Sequence, residues 1–224
     1  MGKSGTILRE PDSRFSVNCT RCPRLAAHLA AVRESHPVYH ARPVAPFGDP
    51  QPALLVVGLA PGMHGANRTG RPFTGDHAGI LLYDTLHRYG FGSRATAVAV
   101  DDGLVLNGCR ITNAVKCLPP ENKPLPAEVR ECNAYLRTEI DALAANAVIL
   151  ALGTVAHQAV LRSLDLRVAD YPFTHGGIHA LPRSMSLFDS YHCSRYNTQT
   201  RRLTPGMFDE VFRRIRDRID SCRK

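Results

Sequence analysis

The sequence contains no tryptophan, and aromatic residues make up only 7% of its 224 positions. No apolar run reaches the length of a membrane span, so a membrane partner is not expected. The first residues, MGKSGTILREPDSRF, lack the apolar core of a secretory leader. These absences point to a soluble cytoplasmic protein whose thiols stay reduced, and its cysteines are then read as metal ligands before disulfides. Internal repeats and low-complexity tails are also missing, which argues against solenoids and disordered linkers.

What is present suits one domain spanning residues 1–224, with 44% hydrophobic residues to build a sizeable core. The net charge is +8 at pH 7, which favours a polyanionic partner. Arginines gather in two places. Arg213, Arg214, Arg216 and Arg218 alternate with Val211, Phe212, Ile215 and Ile219 at helical spacing, so they read as a solvated helix face. Arg195, Arg201 and Arg202 fall in a segment that reads as a loop and are the better candidates for contact with an anion.

Four of the seven cysteines form a pattern. Cys19 and Cys22 make a C-x2-C pair, and Cys117 and Cys132 flank fourteen residues of KCLPPENKPLPAEVREC. Four thiolates suit either an iron–sulfur cubane or a tetrahedral zinc, and either would fasten the N-terminus to the middle of the chain. Cys109, at the start of an apparent strand, reads as a small buried hydrophobe; Cys193 and Cys222 are left over.

Residues 22–34 read as a helix, followed by a proline-rich connector. Continuous apolar runs at 53–59 and 147–152 read as strands buried on both faces, and 110–115 as another strand. Helices are expected at 76–89, 126–145 and 154–164, short strands at 178–181 and 186–191, and a hairpin pairing 96–100 with 104–106. Thr204-Pro205 opens a final helix. Strands alternating with helices predict an α/β fold, a three-layer sandwich with a mostly parallel central sheet flanked by helices. In such sheets ligands sit beyond the carboxyl ends of the strands. Three polar segments leave strands there: GLAPGMHGANRTGRPFTGD (58–76), TNAVKC (112–117) and YHCSRYNTQTRRLTP (191–205).

At these three segments the chain resembles the uracil-DNA glycosylase superfamily, specifically its family 5, the UDGb type. GLAPG with HGANRTGRPFTGD carries the first motif, ITNAVKC the second and HCS-R-x-N-T the third. The resemblance runs from about Cys19 to the last helix. It implies that Cys19, Cys22, Cys117 and Cys132 hold a 4Fe–4S cluster, and that the partner is DNA containing uracil or other deaminated bases. The chain departs from its relatives in three places. Cys193 stands where the third motif usually has proline, Leu59 where family 4 has glutamate, and Ala60 where other uracil glycosylases have aspartate.

The implied reaction is hydrolysis of an N-glycosidic bond on a base flipped out of the stack, by a monomer, as the first step of base excision repair. Phe73 is the expected stacking platform; its bland alternative is an anchor of the loop in the core. Asn113 offers a donor and an acceptor in one plane to read uracil, or else caps a strand end. His192 is the expected donor to the departing base, with His64 a weaker second. Backbone N–H groups at Gly62 can bind a carbonyl or phosphate. Asn67 is the candidate for orienting water, while Asp76 reads as a helix cap before a base. Ser194, Arg195, Asn197, Arg201 and Arg202 are expected on DNA phosphates and Tyr196 as a wedge. No lysine stands out as a Schiff-base nucleophile, so strand cleavage is not expected. A zinc-stabilised nucleic-acid-binding module without catalysis and a nucleoside hydrolase are the competing readings.

Overall fold

The computed structural model describes residues 14–222. Helix α1 (Pro23–Ser35) starts directly after Cys22, with proline in its first turn, where a missing N–H costs nothing. Strand β1 (Phe47–Gly48) emerges from the proline-rich connector, where no strand is expected from the sequence. The remaining strands are β2 (Leu54–Gly58), β3 (Cys109–Asn113), β4 (Val148–Leu152), β5 (Ile178–Ala180) and β6 (Ser186–Ser190).

The six strands form one sheet in the order β1-β3-β2-β4-β6-β5. Its four inner strands are parallel, and β1 and β5 close the edges antiparallel. Strands β2, β4 and β6 are buried along their whole length; the apolar runs of β2 and β4 require this when both faces are covered, whereas β6 carries buried Ser186, Asp189 and Ser190. Alternation sends Leu55, Val57, Ile149, Ala151 and Leu187 to one core. There they meet α1, α4 (Pro126–Asp141) and α5 (Thr154–Ser163). Leu54, Val56, Val148, Leu150 and Phe188 face the other core, against α3 (His77–Arg88) and α7 (Pro205–Ser221). The result is the expected three-layer α/β sandwich. After β2 the chain moves to β3 on one side, then returns past β2 to β4 on the other, which opens a crevice at the carboxyl ends of these strands.

The hairpin expected from 96–100 and 104–106 does not form. Asp102 instead gathers the N–H groups of Val98, Ala99 and Leu104 onto its carboxylate, and the segment closes as a loop around that side chain. Asp102 also pairs with the buried Arg71 guanidinium at 2.6 and 2.9 Å, which ties this loop to the first motif. The DDG turn reads like a hairpin turn because aspartate serves both purposes. Two motif segments expected as loops contain short helices: α2 (Ala66–Thr69) and α6 (Arg195–Gln199).

Candidate active site

The three motif segments converge on one cleft of about 410 Å³ at the carboxyl edge of the sheet. Asn113 is the last residue of β3, 3% exposed, and its Oδ1 is buried without a hydrogen-bond partner. Such an orphan costs free energy unless a ligand supplies the donor. Phe73 sits beside it in the left-handed region, with φ of 55°. Gly58, at the end of β2, leaves the room both need: a methyl group there would lie 2.7 Å from Phe73 Cζ and also collide with Asn113 Oδ1. The glycine is thus required by the close approach of the two side chains.

His192 follows β6 and closes the cleft on the third side, its ring stacked on Phe73 with centroids 5.8 Å apart and planes at 26°. Its main-chain carbonyl accepts from Asn197 Nδ2 at 2.8 Å, so α6 holds the His192 turn. Desolvation pushes the His192 pKa down to about 4, which leaves a neutral imidazole at neutral pH. Behind it, Asp189 of β6 accepts from His157 Nδ1 at 2.8 Å and His179 Nε2 at 3.2 Å, while His157 Nε2 donates to Tyr171 O at 2.8 Å. Burial pulls the His157 pKa down, but the hydrogen bond and charge of Asp189 outweigh it, and the net shift is upward. His157 and His179 thus converge on Asp189 and brace the strand that leads to His192.

Asp76 meets the expectation of a cap: its Oδ1 accepts from Gly79 N at 2.9 Å at the start of α3. It also lines the cleft, and burial raises its pKa. Leu59 and Ala60 line the cleft too, so the first motif places no carboxylate there at those positions. Asn67 is fully buried with Oδ1 unpartnered, and it is its neighbour Ala66 that lines the cleft. His64 is exposed and bonds Tyr39 Oη at 2.9 Å, in a ring cluster with His36. Gly62 lies on the cleft wall.

The third motif presents a polar, basic rim. Ser194 and Arg195 line the cleft, and Ser194 caps α6 through Asn197 N. Tyr196 is 69% exposed. Arg201 and Arg202 are exposed, with Arg202 stacked over Tyr191 at 4.6 Å. His77 Nε2 meets Thr198 Oγ1 at 3.0 Å and joins the first motif to the third. Missed from the sequence is Asn122, which also lines the cleft; it lies outside every motif, and only its place in an Asn-Lys-Pro turn marks it.

The four thiols of Cys19, Cys22, Cys117 and Cys132 line a single cavity between α1 and α4. Burial, then the mutual repulsion of the neighbouring sulfurs, pushes the Cys22 pKa up to about 11 and that of Cys117 upward too. Four thiols gathered at one cavity, two of them buried, suit a cation that would neutralise their thiolates. Lys116 N donates to Cys132 Sγ at 3.2 Å, the kind of backbone bond that supports a thiolate ligand. Among the described residues, the group of three or more such ligands with donor atoms within 4.8 Å of one another is His157, His179 and Asp189. The four thiols that line that cavity are a donor set for either an iron–sulfur centre or a tetrahedral zinc.

The molecule is a doubly wound α/β sheet with a ligand-sized cleft at its switch point, an orphaned amide inside it and a basic rim. The profile of the Uracil DNA glycosylase superfamily matches residues 45–216. A type-5 uracil-DNA glycosylase of Thermus thermophilus is 47% identical over 199 residues, covering 86% of this chain and 90% of the relative. One from Pyrobaculum aerophilum is 42% identical over 88% of each chain. A type-4 uracil-DNA glycosylase of Archaeoglobus fulgidus is 32% identical over 61% of each. The chain belongs to the uracil DNA glycosylase superfamily and groups with its type-5 members.

Proposed function

We propose that this protein is a monofunctional uracil-DNA glycosylase that acts on an extruded base and so initiates base excision repair. The observation that carries the reading is Asn113. Its orphaned Oδ1 can accept from uracil N3–H while Nδ2 donates to O4, a pairing that cytosine cannot satisfy. Phe73 supplies the stacking face.

In the reaction the C1′–N1 bond breaks, the electron pair leaves with the base, and a water oxygen bonds to C1′. Charge develops on uracil O2, where a neutral His192 N–H is the donor; a ring that stays neutral acts as a donor without giving up a proton. The oxocarbenium-like sugar is electrophilic enough for a held water to attack without a strong base. Asp76, rather than the buried Asn67, lines the cleft, and its carboxylate can accept the one proton that the attacking water loses as the C1′ hydroxyl forms, while the departing uracil anion takes a proton from solvent. Breadth towards hypoxanthine and xanthine belongs to the same proposal.

The rim side chains Ser194, Arg195, Arg201 and Arg202 are assigned to phosphates, and the exposed Tyr196 to the gap left by the base. Arg201→Ala with Arg202→Ala is expected to weaken binding to all DNA sequences alike. It should also flatten the plot of log K against log salt by up to about two units. An unchanged slope in fluorescence titrations would place these arginines away from the DNA.

Cys19, Cys22, Cys117 and Cys132 are assigned to a 4Fe–4S cluster, which would supply a fixed cross-link rather than a step of the reaction. Cys117→Ala should lose iron and solubility together. A stable variant with its full iron load removes the assignment, and a colourless zinc-loaded wild type favours a structural zinc instead.

A further inference from the structure

Side chains from α5, β5 and β6 converge on one point away from the cleft. His157 comes from α5, His179 from β5 and Asp189 from β6. Strands β5 and β6 pair antiparallel at the sheet edge, with His179 opposite Leu187. Asp189 lies two residues beyond Leu187, so His179 and Asp189 leave the sheet on the same face, the one that α5 covers. Two ring nitrogens and a carboxylate oxygen thereby lie within 4.8 Å of one another. The side chains of His157 and Asp189 are buried, while that of His179 is 15% exposed, so the group opens to solvent on one side. None of the three lines the thiol cavity or the cleft.

Hydrogen accounting distinguishes this group from an ordinary buried cluster. Tyr171 O lies 2.8 Å from His157 Nε2, and a carbonyl oxygen only accepts, so that nitrogen carries a hydrogen. A neutral imidazole has one N–H, which leaves Nδ1 as a lone pair. Yet Nδ1 faces Asp189 Oδ1 at 2.8 Å, and two bare acceptors at that distance repel. A positive species must stand between them: a second ring proton or a metal cation. His179 Nε2 approaches the other carboxylate oxygen, at 3.2 Å, and brings a second imidazole to the same place. A histidine whose far nitrogen donates to a backbone carbonyl is also the usual arrangement of a metal ligand. The outer bond fixes the tautomer and aims the inner nitrogen.

We propose that His157 Nδ1, His179 Nε2 and the Asp189 carboxylate form a zinc site, separate from the cysteine centre. Two imidazoles and a carboxylate suit Zn2+, and water entering on the His179 side completes four ligands. Magnesium and calcium favour oxygen shells and fit this donor set poorly. The ion replaces the second proton of His157 and clasps α5, β5 and β6 together where the chain leads to His192.

Metal counting on the untagged, iron-containing full-length protein tests the site. After exposure to zinc and gel filtration, the wild type should keep about one zinc per chain beyond its iron, and His179→Ala should keep none. That substitution removes a partly exposed ligand and leaves the His157–Asp189 contact in place, so the variant should fold. Its iron content and zinc-free Tm, both at the wild-type level, check this. Free zinc at a hundredfold excess over its Kd should raise the wild-type Tm by about 5–10 °C and leave that of His179→Ala unchanged. His157→Gln should abolish the zinc-induced rise as well, whatever it does to the starting Tm. Zinc retained equally by His179→Ala would sit on the thiols or elsewhere and would overturn the proposal. A wild type that retains no zinc and shows no rise in Tm would overturn it too, leaving the group as a hydrogen-bonded brace that holds a proton.

Discussion

Asn113→Asp is expected to lower uracil excision by about 10²–10³-fold in single-turnover assays. The wild-type side chain is 3% exposed, and its oxygen has no partner in the protein. A carboxylate keeps the shape but has no N–H for uracil O4, and it sets negative charge against that oxygen in a desolvated site. It can still accept, so a trace of activity on the exocyclic amine pattern of cytosine is expected. The variant should fold normally, because Asn113 makes no side-chain hydrogen bond that holds β3. Excision near the wild-type rate would take Asn113 out of base reading.

His192→Ala should lower kcat by about 10²–10³-fold while binding to uracil-containing DNA changes little. Charge reaches uracil O2 only as the glycosidic bond breaks, so the donor acts mainly in the transition state. The pH profile carries a second signature. With its pKa held down to about 4, His192 is neutral across the working range and protonates only as pH falls through that value. Between about pH 5 and 8, kcat should show no inflection that disappears in His192→Ala. Loss of binding and thermal stability with an intact chemical step would instead make His192 a packing residue under the loop. Its stacking on Phe73 means that some loss of cleft order accompanies the substitution, so the chemical step must be measured directly.

The layers of the fold were legible because they rest on periodicity. The unbroken apolar runs that became β2 and β4 can only be buried on both faces, and Thr204-Pro205 caps α7 as its residue types require. The hairpin failed because aspartate in DDG gathers three backbone N–H groups and a distant arginine, a tertiary demand that no local pattern announces. Strand β1 was hidden in a proline-rich stretch, where an edge strand needs only two residues and one partner. Phe73, Asn113 and His192, each singled out within a motif, all line the cleft: Asn113 ends β3, His192 follows β6 closely, and Phe73 lies in the first motif beyond α2. Asn67 and His64 share the first motif, but a short helix buries the first and turns the second towards Tyr39. Asp76 caps α3 as its position predicts, yet nothing in its spacing says that a capping carboxylate also lines the cleft. Asn122 lies outside every motif, between Cys117 and Cys132, and only the folding of that segment brings it to the cleft.

The central claim is that this cleft breaks a glycosidic bond in DNA, and a single-turnover panel of oligonucleotides tests it most directly. The duplexes carry uracil, hypoxanthine, xanthine or thymine opposite each normal base, and free deoxyuridine serves as the comparison. The account predicts release of uracil with an intact strand left behind, no release of thymine, and no hydrolysis of the free nucleoside. DNA binding without release of any base would contradict it and leave a nucleic-acid-binding module; hydrolysis of free deoxyuridine at a rate equal to that on DNA would contradict it in favour of a nucleoside hydrolase.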